Sequence, residues 1–135
     1  MRLVIACCGI AVALFGAPAW GEAGRPAPVA TLGADVGEWN VVPSVGVVPA
    51  GRVRVEVRNL GQVPHKLVLA RTDSFDPQLR LRGDRAVVRP LATSVLVRPG
   101  GTASFVVSLR PGSYLLLDNL PWRYWQGTSA AFSVR

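Results

Sequence analysis

The side chains best placed to do chemistry lie near the C-terminus, in the stretch DNLPWRYWQGTSAAFSV at residues 118–134. This stretch contains one carboxylate, one guanidinium and several large aromatic rings: Asp118, Arg123, Trp122, Tyr124 and Trp125. A carboxylate and a guanidinium can pair with each other or bind a polar ligand. Exposed Trp and Tyr side chains are typical anchors of protein interfaces. The residue types therefore favour binding over catalysis.

The rest of the chain offers few reactive groups to support an enzyme. The sequence has 1 His, 2 Cys and 1 Met. The His is His65, both Cys lie at positions 7 and 8, and the Met is Met1. No second His is present to activate a serine, so we expect no nucleophilic catalysis and no enzyme. For His65 we favour a structural role in a β-domain. The alternative is a weak metal site made with Asp118.

The N-terminus has the pattern of a secretory signal peptide. Arg2 precedes an uncharged apolar run, and Ala17-x-Ala19 provides a cleavage site before Trp20. We therefore expect residues 1–19 to be a signal peptide that contains both cysteines, and the mature protein to be periplasmic or secreted. An uncleaved N-terminal anchor is the alternative, and it alone would attach the protein to a membrane. Residues 20–35 are small and Pro-rich, which predicts a flexible lead-in to a domain at 36–135.

The chain is basic, with a net charge of +7. It has no Lys/Arg run and no nucleic-acid-binding motif, so we expect no binding to DNA or RNA. The charge is compatible with an acidic protein partner in the cell envelope. The polar connection at 72–90 contains four arginines that could form a second surface for an acidic partner: Arg80, Arg82, Arg85 and Arg89. A solvated loop is the simpler interpretation of this segment.

The elements that must position these residues are predicted to be short strands. Alternating apolar residues mark strands at 52–58 and 103–109, and further strands are expected at 36–42, 66–70, 114–118 and 131–134. Turn residues separate them, as in Asn59-Leu60-Gly61 and Pro111-Gly112. No helical period is present. We predict an all-β fold, an antiparallel Greek-key sandwich of about 7–8 strands.

The order of these motifs resembles the cupredoxin family, and in particular small exported bacterial copper proteins of the plastocyanin type. The resemblance covers residues 36–135. Its first motif is Asn59-x-Gly61, which is followed by His65 at the start of the next strand. Leu109-x-Pro111-Gly112-x-Tyr114 comes later in the chain. The C-terminal loop of such proteins reads Tyr-x-x-x-Cys-Asn-x-Pro-Gly-His-Tyr-x-x-Gly-Met. Five residues of this chain match that pattern without a gap: Tyr114, Asn119, Pro121, Tyr124 and Gly127.

The resemblance implies a copper site whose ligands have been replaced. His65 stands at the first ligand position. Asp118 replaces the Cys, Arg123 the second His and Thr128 the axial Met. A blue-copper site requires the thiolate and both imidazoles, and Arg cannot donate a lone pair. We therefore expect no blue copper and no cofactor. A copper site at His65 and Asp118 is the alternative.

Two arrangements of the replaced ligands are open. In the first, Asp118 points inward and pairs with Arg123, because a buried unpaired carboxylate is strongly disfavoured. In the second, Arg123 turns to solvent and Asp118 caps the loop backbone. Trp122, Tyr124 and Trp125 can either form an exposed partner-binding surface or fold back over the replaced site.

Three functions follow from this sequence. The favoured one is an exported cupredoxin-like binding or assembly module that uses its C-terminal Trp/Tyr loop. The alternatives are a periplasmic copper-binding or electron-transfer protein, and a structural domain of a larger exported complex.

Overall fold

The computed structural model describes residues 30–74 and 77–135, and this part of the chain is built from strands and turns. The expected signal peptide at 1–19 and the first part of the lead-in lie outside the described residues. Within them, no helix is long and apolar enough to span a membrane. The strands are β1 (Ala30–Val36), β2 (Val41–Pro43), β3 (Val47–Val48), β4 (Gly51–Asn59), β5 (Leu67–Thr72), β6 (Leu81–Arg82), β7 (Arg85–Ala86), β8 (Pro90–Thr93), β9 (Thr102–Leu109), β10 (Gly112–Asp118) and β11 (Ser129–Val134).

Two sheets form a sandwich. One has the order β2-β1-β4-β9 and the other β3-β11-β10-β5-β8, while β6 and β7 form a separate hairpin. The predicted all-β sandwich is confirmed, and most pairs are antiparallel. Two pairs are parallel, β1 with β4 and β11 with β3. They differ from the prediction because the chain leaves the first sheet after β2, adds β3 to the second sheet and only then returns as β4.

The core lies between the sheets and follows from the alternation in the sequence. In β4 the apolar residues Val53, Val55 and Val57 are buried, while the charged residues between them face outward. Side chains of the second sheet fill the opposite side, with Tyr114 stacked on Phe132 at a ring-centroid distance of 5.6 Å. Burial of this apolar surface is the main source of stability in such a fold.

The start of the domain differs from the expectation. Residues 30–36 form β1, a central strand that pairs with both β2 and β4, and Leu32, Ala34 and Val36 are buried in the core. Residues 30–35 therefore belong to the sheet, although we expected them in a flexible lead-in. A single strand at 36–42 was also wrong, because the chain turns at 37–40. The alternation of β1 is weak in the sequence because one buried position is the small residue Ala34 and its neighbour is Gly33.

In the connection at 72–90, the described residues 77–90 contain more regular structure than their polar composition indicates. It contains the β6–β7 hairpin, and it covers the outer face of the second sheet with a small apolar cluster. There Ala86 packs with Val68, Leu115 and Leu117. This cover explains why consecutive residues of β10 are buried on both of its faces.

Candidate functional site

His65 lies at one end of the sandwich, just before β5, and backbone contacts fix its position. Its N–H donates to Val97 O at 3.0 Å and its carbonyl accepts from Val97 N at 2.8 Å. The buried Asn59 side chain holds the preceding loop, donating to the carbonyls of Val63 (2.8 Å) and Val97 (2.9 Å) and accepting from Gly61 N (2.8 Å). The Asn59-Leu60-Gly61 turn motif therefore positions His65.

Asp118, the last residue of β10, meets His65 directly. His65 Nδ1 lies 2.6 Å from Asp118 Oδ2, and both side chains have 0% exposure. With the ring nitrogen as donor, the carboxylate accepts a charge-assisted hydrogen bond. The other oxygen, Oδ1, accepts from Leu120 N at 2.9 Å. Asp118 thus joins the β5 side of the site to the start of the C-terminal loop.

The second nitrogen of His65 has no such contact. Nε2 is buried and has no hydrogen-bond partner in the described part of the chain. When Nδ1 carries the proton of a neutral ring, Nε2 is a lone-pair acceptor. An unmet acceptor is tolerated more readily in a protein interior than an unmet N–H donor.

The predicted ion pair between Asp118 and Arg123 is wrong. Within the described residues, Asp118 pairs with His65, whereas the Arg123 side chain is partly exposed. The backbone of Arg123 is nevertheless integral to the loop, because its N–H donates to Leu120 O and its carbonyl accepts from Thr128 N, each at 3.1 Å. His65 satisfies the carboxylate without removing a guanidinium from water, which is the less costly arrangement. The alternative, in which Asp118 caps the loop backbone, matches the contact with Leu120.

Thr128 is buried beside Asp118, and its hydroxyl is already engaged. Oγ1 donates to Glu38 O at 2.7 Å, and Asp118 N donates to Thr128 O at 2.9 Å. Glu38 also holds the loop before His65, because its carboxylate accepts from the N–H groups of Gln62 and Val63. The hydrogen bond from Gln62 lowers the pKa of the Glu38 carboxyl below its ordinary value.

The donor set at this end does not fit blue copper. Such a site requires a thiolate and two imidazoles, whereas the polar side chains at this end include Asp118, Thr128 and the guanidinium of Arg123. The lone imidazole has its Nδ1 committed to Asp118. Among the described residues, no group of three or more His, Cys, Asp or Glu side chains is arranged to hold a metal ion. His65 and Asp118 therefore form a buried polar contact with each other.

The tryptophans of the C-terminal loop are exposed. Trp122 and Trp125 have relative exposures of 55% and 70%, and their rings meet edge to face with centroids 6.4 Å apart. The neighbouring loop adds Trp39, which is 64% exposed and which sequence reasoning missed. A Cβ placed on Gly127 would lie 3.3 Å from Trp39 O, so the two loops touch closely. No pattern in the sequence signals that Trp39 joins this end, because the contact depends on the β1–β2 turn.

Tyr124 differs from these tryptophans. Its ring packs partly into the apolar cluster beneath the 72–90 connection. Its hydroxyl accepts from Leu79 N at 3.0 Å and donates to Pro77 O at 3.1 Å. Tyr124 therefore braces the loop from inside, which makes it a positioning residue as well as a predicted contact residue.

Further hydrogen bonds tie the C-terminal loop to the same connection. The Asn119 side chain accepts from Ala86 N (2.8 Å) and donates to Ala86 O (3.0 Å), which mimics a strand pair. Arg85 Nη1 donates to Asn119 O at 2.9 Å, and Trp122 N donates to Asp84 O at 2.7 Å. Of the arginines expected to form a basic surface, Arg85 thus also serves an internal contact. Three others are exposed: Arg80, Arg82 and Arg89.

Trp122 has an unusual backbone conformation, with φ = 66°. It is the one non-glycine residue with positive φ in the described part of the chain. This left-handed region favours glycine, and a bulky side chain there is strained. Trp122 follows Pro121 at the position where the cupredoxin loop pattern has Gly. Trp122 thus has a backbone conformation that glycine favours, at the position where that pattern has Gly.

Comparison with known proteins gives structural relatives only. No protein-family model and no curated protein sequence matches the chain. The structure is similar to an auracyanin from the photosynthetic bacterium Roseiflexus castenholzii, with TM-score 0.57, 22% identity, and coverage of 82% of this chain and 99% of that one. It is also similar to auracyanin B, with TM-score 0.59, 18% identity, and coverage of 83% and 93%. For a rusticyanin from Thiobacillus ferrooxidans the TM-score is 0.55 and the identity 16%, with coverage of 78% and 77%.

Auracyanin and rusticyanin are both cupredoxins, and one rusticyanin structure is described as that of a copper protein. The matches span most of the described sandwich, and at these identities they establish the fold. The expectation drawn from the Asn59, His65 and Tyr114 motifs is confirmed at that level. The protein has the cupredoxin fold, and the described residues at the end of its sandwich that holds His65 form no intact metal site.

Proposed function

We propose that this protein is an exported, non-enzymatic binding module that uses the cupredoxin fold without blue copper and contacts a protein partner through its exposed tryptophans. The observation that carries the proposal is the 2.6 Å contact between His65 and Asp118. His65 is the one imidazole in the sequence, and its Nδ1 is engaged by Asp118, the residue at the Cys position of the cupredoxin loop pattern. This contact supports a role other than blue-copper electron transfer, and three exposed tryptophans lie on the loops at the same end.

The tryptophan surface, formed by Trp39, Trp122 and Trp125, supports the binding role. Exposed patches of large apolar side chains often mark interaction sites, and Trp is enriched among the residues that dominate binding energy. The surrounding charge is mostly positive, since Lys66, Arg98 and the partly exposed Arg123 lie on the loops of this end. Two carboxylates lie nearby: Glu38 is bonded to backbone N–H groups, and Asp84, whose carbonyl accepts from Trp122 N, lies 3.8 Å from Arg85. A partner with an apolar centre and an acidic rim would match this surface.

A copper titration tests the first half of the proposal. Purified protein is mixed with Cu(II) and examined by absorption, electron paramagnetic resonance and metal analysis after gel filtration. We expect no intense blue absorption and no stoichiometric copper retained. Retention of one tight copper ion that is lost in His65→Ala would overturn the proposal.

The copper alternative has one specific observation in its favour. Nε2 of His65 is buried without a partner in the described residues, and Asp118 supplies an oxygen close to the same ring. One nitrogen and one hard oxygen make a weak donor set for copper. The titration with the His65→Ala control decides between this candidate and the proposed module.

Binding of a partner through the tryptophans is tested by affinity capture from the cell envelope of the host. Trp122→Ala combined with Trp125→Ala removes exposed side chains, so the fold should persist while partner capture falls at least tenfold. Val45→Ala is the matched control, because Val45 is an exposed apolar residue on a different loop. Equal capture by the double variant and by Val45→Ala would refute the role of the tryptophans and would leave a structural role as the better interpretation.

Export of the protein is tested by a separate experiment. The sequence of residues 1–19 supports secretion, with cleavage before Trp20. Fractionation of the host cells, followed by N-terminal sequencing of the recovered protein, should find it outside the cytoplasm and beginning near Trp20. Recovery from the cytoplasm with Met1 retained would contradict export.

A further inference from the structure

The two sheets end in four edge strands, and only one of them lacks the usual protection. β2 has three residues and ends in Pro43, and β3 has two residues. β8 has four residues, begins with Pro90 and pairs irregularly with β5. Short length, proline and bulges are the devices by which proteins prevent unwanted pairing at sheet edges. These three edges are therefore protected.

β9 has none of these devices. Its eight residues, Thr102–Leu109, read TASFVVSL and contain neither a charge nor a proline. Its register with β4 is unbroken from one end to the other. A long, regular and uncharged edge strand is a template for pairing with another strand.

The side chains of β9 are also incompletely covered. Ala103, Phe105 and Val107 face the core but are only partly buried. On the outer face Val106 is 41% exposed. Within the described residues, β9 pairs with β4 alone, so the backbone groups along its other side have no strand partner. Both a backbone edge and an apolar margin are therefore available at the same place.

We propose that β9 is a self-association edge, at which two copies of this chain pair antiparallel about a two-fold axis through Phe105. Pairing extends the four-stranded sheet of each copy into one continuous sheet. In this register, Phe105 lies opposite Phe105 of the other copy and Ser104 lies opposite Val106. Residues directly opposite each other in an antiparallel pair share a face. The core face of one copy therefore continues into the core face of the other.

The absence of charge on β9 fits a second copy as the occupant. With a net charge of +7, two copies repel each other across most of their surfaces. The uncharged β9 strand places no like charges opposite each other when it pairs with itself. A two-fold pair also uses the same edge in both copies and leaves neither β9 unpaired. This association is independent of the tryptophan surface, so either proposal can fail without the other.

The test uses two variants with charges at positions that face each other in the proposed register. One carries Ser104→Lys and Val106→Lys, and the other carries Ser104→Glu and Val106→Glu. Both side chains are exposed, so each variant should keep its fold and its thermal unfolding transition. In sedimentation equilibrium at about 100 µM, we expect the wild type to be dimeric and each variant alone to be monomeric. An equimolar mixture of the two variants should form a heterodimer, because Lys then faces Glu.

A matched control places the same charges elsewhere. Val45→Lys with Val47→Lys introduces charges at exposed positions outside β9 and should leave the dimer intact. Hydrogen exchange of the β9 amides should slow as the wild-type concentration rises. A monomeric wild type would overturn the proposal, and so would a dimer that persists in both β9 variants or a mixture that fails to associate.

Discussion

The Nδ1 atom of His65 lies 2.6 Å from Oδ2 of Asp118, and neither side chain is exposed to solvent. Substituting Asp118→Ala should lower the free energy of unfolding by about 3 kcal/mol, because it leaves a buried polar ring without its partner and removes the acceptor for Leu120 N. Urea denaturation measures the change.

Asp118→Asn is the matched control for this effect. The amide oxygen can still accept a hydrogen bond, so the loss should be smaller, about 1 kcal/mol. Equal losses in the two variants would indicate that the contact contributes little beyond packing.

The positive φ of Trp122 predicts a reversal of the usual order of alanine and glycine. Trp122→Gly should be more stable than Trp122→Ala by about 1 kcal/mol, because both variants remove the ring but only glycine adopts φ = 66° without strain. Thermal denaturation of the two proteins gives the difference.

The same pair of substitutions at Trp125 provides the comparison. Trp125 is exposed in the same loop but does not have a positive φ, so its glycine variant should be no more stable than its alanine variant. A glycine advantage at both positions would point to loop flexibility as the cause.

The resemblance of the C-terminal loop to a copper-ligand loop can be tested by introducing the ligands of that pattern. A protein carrying Asp118→Cys, Arg123→His and Thr128→Met should bind one Cu(II) and show strong visible absorption, because a thiolate, two imidazoles and a thioether then converge. The backbones of Asp118 and Arg123 both hydrogen-bond Thr128, which brings the three positions together.

Absorption spectroscopy and metal analysis report the result. Adding His65→Ala to the triple variant should abolish the signal. A folded triple variant that binds no copper would show that the matching residues do not occupy ligand geometry.

The Glu38 carboxylate should contribute a pH-dependent stability. Hydrogen bonding from Gln62 N lowers its pKa in the folded protein, so its contribution is present above the pKa of the unfolded chain. It is lost as the pH falls through the pKa of the folded protein, which lies below the ordinary pKa of a glutamate. The amide resonance of Gln62 should therefore titrate with a midpoint below that of an ordinary glutamate.

In Glu38→Gln this titration should disappear, and Gln62 and Val63 should exchange their amide protons faster at neutral pH. A Gln62 resonance with an ordinary midpoint would mean that the carboxylate does not hold the loop in solution.

Much of the sandwich could be predicted from its sequence, because strong alternation and turn residues coincide. The segment RVRVEVR at 52–58 and the turn at Pro111-Gly112 are examples, and β4 and β10 lie where they indicate. β1 could not be found in this way. Its buried positions include Ala34 and alternate with Gly33, so the apolar period is weak until β4 lies beside it.

The candidate site was predictable in composition but not in contacts. The sequence assigns His65, Asp118, Arg123 and Thr128 to one end of the domain, but the choice of partner for Asp118 depends on distances that spacing does not give. Trp39 was missed for a similar reason. Only the β1–β2 turn and the close approach of Gly127 bring it to this end.

Glu38 holds two loops at once, one through its carboxylate and one through its carbonyl. Trp39, the next residue, therefore cannot shift without disturbing both the loop before His65 and the loop that carries Trp122 and Trp125. The backbones that carry the three tryptophans are therefore linked through one residue, Glu38. Hydrogen bonds that already hold both loops in the unbound protein reduce the ordering entropy that these loops lose when a molecule docks on them.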